Sequence, residues 1–282
     1  MKVLAADGHS LYVLSRHAGT NLPAGVRLSA WDPVRGEPPA ASLENADAVI
    51  HLAGEPVAQR WTELAKQKIS ASRIEGTRNL MRALAKLPRK PQVLVCASAV
   101  GYYGSRGDEI LSETSGPGSD YLAGVCAGWE QVAREAEALG MRVVSIRTGV
   151  VLDPRGGALA RMLPPFRMGA GGRIASGQQW MPWIHAADLA ALFRHVLSNS
   201  VSGPVNGVAP NPVRNAEFTS AFAAAVHRPA VFPVPALALK LLFGEMAGIL
   251  LASQRVIPKA AEAAGFRFQF PEIGDAFADL LP

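Results

Sequence analysis

Short, almost wholly apolar runs alternate along this chain with stretches whose apolar residues recur every three or four positions. SLYVLSR (10–16) and ADAVIHLAG (46–54) read as strands, the second ending in a glycine turn. Between residues 61 and 87 the period lengthens, with Ile74, Thr77, Met81 and Leu84 on one helical face. PQVLVCASA (91–99) reads as a further strand, bounded by proline and by a polar, glycine-rich loop. A helical pattern over 121–139 stops at Gly140, and MRVVSIR (141–147) follows as a strand. The apolar runs lack polar alternation, which predicts parallel strands covered on both faces. Strand–helix–strand repetition at this spacing predicts an α/β fold with a doubly wound parallel sheet, in which these four runs are neighbours.

Past Val151 the rhythm changes. Residues 155–177 are rich in Gly, Pro and Arg, and WMPWIHAADLAALFRHVL (180–197) turns from strand to helix with Asp188 in the early turns. GPVNGVA (203–209) reads as a short strand, and Asn215 as the N-cap of a helix with Glu217 in its first turn. The last fifty residues predict two or three helices and a strand at FRFQF (266–270). The division expected is a nucleotide-binding domain over 1–151 and an intertwined substrate-side lobe over 152–282.

With 282 residues, 49% of them hydrophobic and 18% charged, the chain can bury a full core, and disorder is excluded. Cys96 and Cys126 sit in apolar runs without a CxxC, which argues against a disulfide framework or a zinc site and fits a reducing cytoplasm. The net charge of +5 is scattered, and its densest group, Lys86 with Arg89 and Lys90, has no interleaved aromatics, so nucleic acid is not expected as a partner. ALALKLLFGEMAGILLA (236–252) is interrupted by Lys240 and Glu245 and is shorter than the ~20 residues of a membrane span. It is expected to be an amphipathic or buried helix of a soluble protein. Oligomeric state is not legible.

Candidate chemistry lies at strand ends. Enzymes that bind NAD place an acid after the second strand of such a sheet, and those that bind NADP place an arginine there for the extra phosphate. Here that position is Ser15–Arg16, a hydroxyl beside a fixed cationic fork. A solvent-exposed strand-end arginine is the plain alternative. HLAGEP (51–56) ends the next strand with small residues that let a ring approach the backbone. Ser98, in SASAVGYYG (98–104), stands at the carboxyl end of VLVCA, where open α/β sheets bind ligands.

Together with RTGVVLDPRGGALARMLPPFRMGAGG, SGQQWMPWIHAADLA, NGVAPNPVRNAEFT, VCAGWE and RWTELAKQKISASRIEGTR, these stretches resemble the extended short-chain dehydrogenase/reductase superfamily. More closely, they resemble its atypical epimerase family, whose members carry a small C-terminal domain of unknown function. The resemblance implies a Rossmann-type fold binding NADP. It implies Ser15 and Arg16 at the adenosine-side phosphate, Leu52 and Ala53 beside adenine and ribose, and further cofactor contacts from Arg73 and Val151. The implied substrate is a small molecule similar to a nucleotide sugar. Members of the family begin with a strand, a GGTGFIG-like loop and a helix leading into Gly-His; here that pair is Gly8–His9, so roughly 15–20 residues of the unit are missing. A displaced start or a truncated product is expected. MKVLAAD (1–7) is then a remnant strand or the last turns of a helix stopped at Gly8.

The superfamily's catalytic groups are Ser, Tyr and a Lys four residues after Tyr, which lowers the tyrosine pKa from about 10. Ser98 and Tyr121 are the candidates, but Val125 stands where the lysine should be, and Tyr102 and Tyr103 also lack a motif lysine. His185 is expected to order the substrate-side loop, and Trp180 and Trp183 to stack on a base or pack in the core. Two readings stay open: an NADP-binding epimerase or oxidoreductase, and a non-catalytic NADP-binding or interaction protein that has lost the Tyr–Lys chemistry.

Overall fold

A computed structural model describes residues 1–16 and 22–281. In chain order the first half contains α1 (Lys2–Ala6), β1 (Tyr12–Ser15), β2 (Arg27–Ala30), β3 (Ala48–His51), α2 (Glu63–Lys86), β4 (Val93–Ala99), β5 (Ile110–Leu111), α3 (Tyr121–Arg134) and β6 (Arg142–Thr148). The second half continues with β7 (Val150–Leu152), α4 (Gly157–Arg167), β8 (Trp180–Met181), β9 (Trp183–His185), α5 (Ala186–Ser198), β10 (Gly203–Gly207), β11 (Val213–Arg214) and α6 (Asn215–Ala225). It ends with α7 (Ala236–Phe243), α8 (Ala247–Leu251), β12 (Arg255–Val256), α9 (Lys259–Ala263) and α10 (Ile273–Leu280).

The main sheet is parallel, in the order β10-β6-β4-β3. Its strands are predominantly apolar without polar alternation because both faces are covered. From β4, Leu94 and Cys96 join Leu80, Leu84, Trp129 and Val132 of α2 and α3 in one core, while Val93 and Val95 meet Leu192 and Val196 of α5 in the other. The outer strand β10 comes from beyond residue 152, so the sheet draws on both halves of the chain. A third core, with Phe166, Phe218, Phe222 and Phe277, holds α4, α6 and α10 together; the Phe222 and Phe277 rings stack at 5.0 Å.

Local chemistry sets the helix ends. Thr62 caps α2 by accepting the Ala65 N–H (3.1 Å), and Asp120 caps α3 by accepting the Ala123 N–H (2.9 Å). The 3₁₀ turn after α3 stops at Gly140, whose φ of 79° is left-handed. The opening residues are helical: past α1, Gly8 (φ 82°) and His9 donate to the carbonyls of Ala5 and Leu4, the paired bonds of a glycine-terminated helix.

Four expectations are corrected. Among the described residues SLYVLS pairs with β2 alone, as a separate parallel ribbon, and not with β3. Among the described residues no strand pairs with the second edge of β1 or of β3, although Leu14 and Val49 pack against the same core. FRFQF is not a strand, because the Gln269 and Phe270 N–H groups bond the buried Asp188 carboxylate (2.8 and 2.9 Å) instead of a ladder. Asn215 begins α6 rather than capping it; its side chain accepts the Ile174 N–H (2.7 Å), while Glu217 accepts the Arg214 N–H (3.0 Å). The segment 236–252 is two short helices broken at Gly244 (φ 61°), and Leu237, Leu241 and Leu242 of α7 are exposed. No helix among the described residues is long and apolar enough to cross a membrane.

Two buried polar arrangements sit inside this frame. At the end of β3, His51 lies between Trp31 and Trp129 and bonds the Thr77 hydroxyl (3.0 Å). Burial lowers its pKa to about 4. From β6, Arg147 donates two hydrogen bonds to Glu130 of α3, Nε to Oε1 and Nη2 to Oε2, both 2.8 Å. The side chains are only 3% and 4% exposed.

The first arrangement makes stability depend on pH. Between about 4 and the ordinary histidine value the unfolded chain binds a proton at His51 that the folded chain does not. Stability therefore falls as pH is lowered through that window, by about 3 kcal/mol at most. Melting curves from pH 7 to 4.5 should show the loss, and His51→Gln should flatten this component; an unchanged slope counts against it. The second arrangement is sensitive to removal of one partner. Glu130→Gln leaves Arg147 buried without its counter-charge and should cost about 3–5 kcal/mol, a fall in Tm of roughly 5–15 °C. A melting point within 2–4 °C of the parent, roughly one kcal/mol, would contradict that estimate.

Candidate functional site

The carboxyl ends of β1, β3, β4 and β6 carry the polar groups singled out in the sequence. Ser15 ends β1, and Arg16 follows with its side chain 49% exposed. Past β3 the chain runs through exposed Leu52, half-buried Ala53 and exposed Gly54 to Glu55. The Glu55 carboxylate lies 3.6 Å from Arg16 Nη1. Arg73 reaches this loop from α2, donating from Nη1 to the carbonyls of Glu55 (3.0 Å) and Ile69 (3.2 Å), with its guanidinium 5.1 Å from the Trp129 ring centre. Glycine at 54 permits the approach, since a Cβ there would lie 3.0 Å from Arg73 Cζ. Burial holds the Arg73 pKa below its ordinary value, opposed by the field of nearby Cys126, Tyr121 and Glu55.

Tyr121 opens α3 on the same side. Its hydroxyl donates to the Lys66 carbonyl (2.6 Å), and its ring meets Trp61 at 5.3 Å. Lys66 Nζ lies 5.8 Å from the ring centre, so a lysine from α2 stands beside the tyrosine that lacks one at the motif position. Glu63 and Glu245 bind that ammonium at 2.9 Å each and raise its pKa to about 12. Burial raises the Tyr121 pKa, and the pull of Arg73 and Lys66 in the other direction does not overcome it. The phenol is a neutral donor in this arrangement.

Ser98 belongs to a different group. It is buried, and its hydroxyl donates to Glu130 Oε1 (2.6 Å). Arg147 Nη1 donates to the Tyr103 hydroxyl (3.0 Å), which donates to Asn206 Oδ1 (2.6 Å), and the guanidinium lies 3.4 Å from the Tyr102 ring centre. Burial raises the Arg147 desolvation penalty, yet the Glu130 carboxylate prevails and keeps the guanidinium pKa above its ordinary value; burial pushes the Tyr103 phenol up to about 12. No hydrogen bond joins Ser98 to Tyr121 among the described residues. Trp129 and Glu130, adjacent on α3, point one to the Arg73 group and the other to the Ser98 group. Val151 stands on β7, which pairs with β9, three residues past the end of β6. His185 caps α5 through Nδ1, which accepts the Ala187 N–H (3.0 Å), and stacks on Phe270. Trp183 is core, and Trp180 lies between Arg214 and Arg255, each 4.6 Å from its ring centre.

The structure thus draws Arg16, Glu55, Arg73, Tyr121 and Lys66 into one group and Ser98, Glu130, Arg147 and Tyr103 into another. Glu55, Lys66 and Glu130 carry no assigned role in the sequence reading. The signal for Glu55 was present, an acid directly after a strand-end glycine in HLAGEP; Lys66 and Glu130 find their partners only through long-range packing. The half-exposed Arg16 guanidinium beside the Ser15 hydroxyl has the donor chemistry that suits a phosphate, and exposed Leu52 beside small backbone at Ala53–Gly54 suits a flat ring.

Residues 1–209 match the NAD dependent epimerase/dehydratase family, and residues 234–280 match a domain of unknown function, DUF1731. The human epimerase family protein SDR39U1 is 38% identical over 286 residues, covering 99% of this chain and 94% of that protein. Bacillus subtilis YfhF is 38% identical over 281 residues, covering 99% and 92%. A crystal structure of human SDR39U1 (isoform 2) with NADPH has a TM-score of 0.89 at 38% identity, covering 99% of this chain and 93% of that one. The UDP-glucuronic acid 4-epimerase of Bacillus cereus, in complex with UDP-glucuronic acid and NAD, has a TM-score of 0.79 at 14% identity, covering 99% and 93%, a likeness of fold alone. This chain belongs to the NAD dependent epimerase/dehydratase family.

Proposed function

We propose that this protein binds NADP along the carboxyl ends of β1 and β3 and acts in hydride exchange on a small molecule similar to a nucleotide sugar. The observation that carries the reading is Arg16, a half-exposed guanidinium at the end of β1 where an NAD site would have an acid. In this reading Ser15 and Arg16 hold the 2′-phosphate, Leu52 and Ala53 flank adenine and ribose, and Arg73 fixes the loop that carries them. Val151 closes the site from the β7 side, and residues 152–282 form the substrate-side lobe. The nicotinamide supplies hydride transfer when the cofactor is bound. Tyr121 is the candidate proton donor, its phenol kept protonated by burial, while Ser98 orders the floor through Glu130. The buried thiols of Cys96 and Cys126 suit a reducing cytoplasm.

A second reading is an NADP-binding protein without turnover. It is favoured by the hydroxyl protons of Ser98 and Tyr121, both committed to protein acceptors. Incubation with NADP⁺, 4-deuterated NADPH and a panel of UDP- and GDP-sugars separates the two, because NADP⁺ must first oxidise a sugar alcohol to the ketone that the deuteride then reduces. Deuterium transferred to a sugar supports the enzyme, and tight NADPH binding with no transfer across the panel supports the second reading.

Arg16→Ala tests the cofactor assignment common to both. Loss of a charge-assisted contact to phosphate, about 1.5–3 kcal/mol, should weaken NADPH binding roughly ten- to hundredfold. NADH affinity should stay within about twofold. Equal weakening of the two cofactors in calorimetric titration would remove Arg16 from the 2′-phosphate.

A further inference from the structure

We infer that Glu55 sets the strength of cofactor discrimination by competing with the 2′-phosphate of NADP for Arg16. The inference rests on the reading that Arg16 takes that phosphate.

Glu55 is held by its backbone rather than by its side chain. Its N–H donates to Ser72 Oγ (2.9 Å), and its carbonyl accepts from Arg73 Nη1 (3.0 Å). Ser72 is itself anchored, donating to the Ile69 carbonyl (3.0 Å). The backbone at Glu55 is therefore clamped onto α2, and its carboxylate is aimed at the mouth of the site, 25% exposed and 3.6 Å from Arg16 Nη1. That separation is longer than a hydrogen bond, so the pair is held by charge alone. It spans the carboxyl ends of β1 and β3, two strands that share no ladder.

A 2′-phosphate is close to dianionic near neutral pH. Set on the Arg16 guanidinium, it brings its charge against the fixed carboxylate of Glu55. The carboxylate must give up the cation and, with its backbone clamped to α2, can move away from the like charge only by turning its side chain. NADH, with hydroxyls only, meets no such repulsion. Glu55 thus lowers the affinity for NADP below what Arg16 alone would give, and narrows the preference over NAD.

Glu55→Gln removes the charge and keeps the size, and the contacts that position residue 55 are to its backbone, so the fold is retained. NADPH affinity of the full chain, measured by titration calorimetry or by cofactor fluorescence, should rise about tenfold, with NADH unchanged within about twofold. The NADPH gain should shrink as salt is raised, because a half-exposed charge is screened. A weaker NADPH affinity in Glu55→Gln would mean that Glu55 orients Arg16, and an unchanged affinity that the pair is incidental; either overturns the inference. Arg16→Ala keeps the two levels apart. If that variant leaves the NADPH-to-NADH preference intact, the parent assignment has failed. If it abolishes the preference while Glu55→Gln changes nothing, the role given to Glu55 alone has failed.

Discussion

Arg147 and Glu130 are two charges enclosed at the carboxyl end of the main sheet, and the surrounding structure is arranged so that neither lacks a partner. Desolvating such a pair costs several kcal/mol per ion, recovered only where geometry and auxiliary hydrogen bonds are good. Here Glu130 Oε1 accepts from Arg147 and Ser98, Oε2 accepts from Arg147, and Nη1 of the arginine reaches Tyr103. Tyr103 passes the network to Asn206 at the β10 end, and the Glu113 carboxylate accepts N–H groups from Asn206 and Ala260. The first and last parts of the chain are joined through this point. Ser98, the hydroxyl that the family resemblance suggests as catalytic, instead commits its proton to the solvation of Glu130.

What was legible in the sequence follows from how local each signal is. VLVCAS and VVSIR announced buried parallel strands because their apolar residues do not alternate with polar ones, and residues 61–87 announced a helix through periodicity. FRFQF has the composition of a strand, but its backbone donors are taken by Asp188, some eighty residues earlier, a competitor that no local window contains. The segment 236–252 has enough leucine for one helix, and its break depends on the backbone at Gly244. SLYVLS was correctly seen as a strand, but its neighbour is a question of long-range pairing, and among the described residues the ladder joins it to β2 alone.

The site divides in the same way. Arg16 stood out in the sequence because a rule about strand ends assigns meaning to a single position, and it lies half exposed at the end of β1. Val125 marked the absence of the superfamily lysine, but the sequence did not reveal that Lys66 would reach the same tyrosine from α2. That ammonium does not bring the tyrosine pKa below its ordinary value. Glu63 and Glu245 draw its charge to themselves, and burial of the phenol outweighs the remaining field.

The two arginine–glutamate pairs differ in what they leave available to a ligand. Arg147 is enclosed and bidentate, and separating it from Glu130 would strand a charge in the interior. Arg16 is half exposed, and its partner lies beyond hydrogen-bond distance. Ion pairs of that kind contribute about 0–1 kcal/mol, an amount that one charge-assisted contact to a phosphate, about 1.5–3 kcal/mol, exceeds. An anion arriving at the carboxyl edge can therefore take Arg16 from Glu55 but cannot take Arg147 from Glu130. The same two residue types serve as fixed scaffold at one strand end and as exchangeable contact at another, and burial decides which.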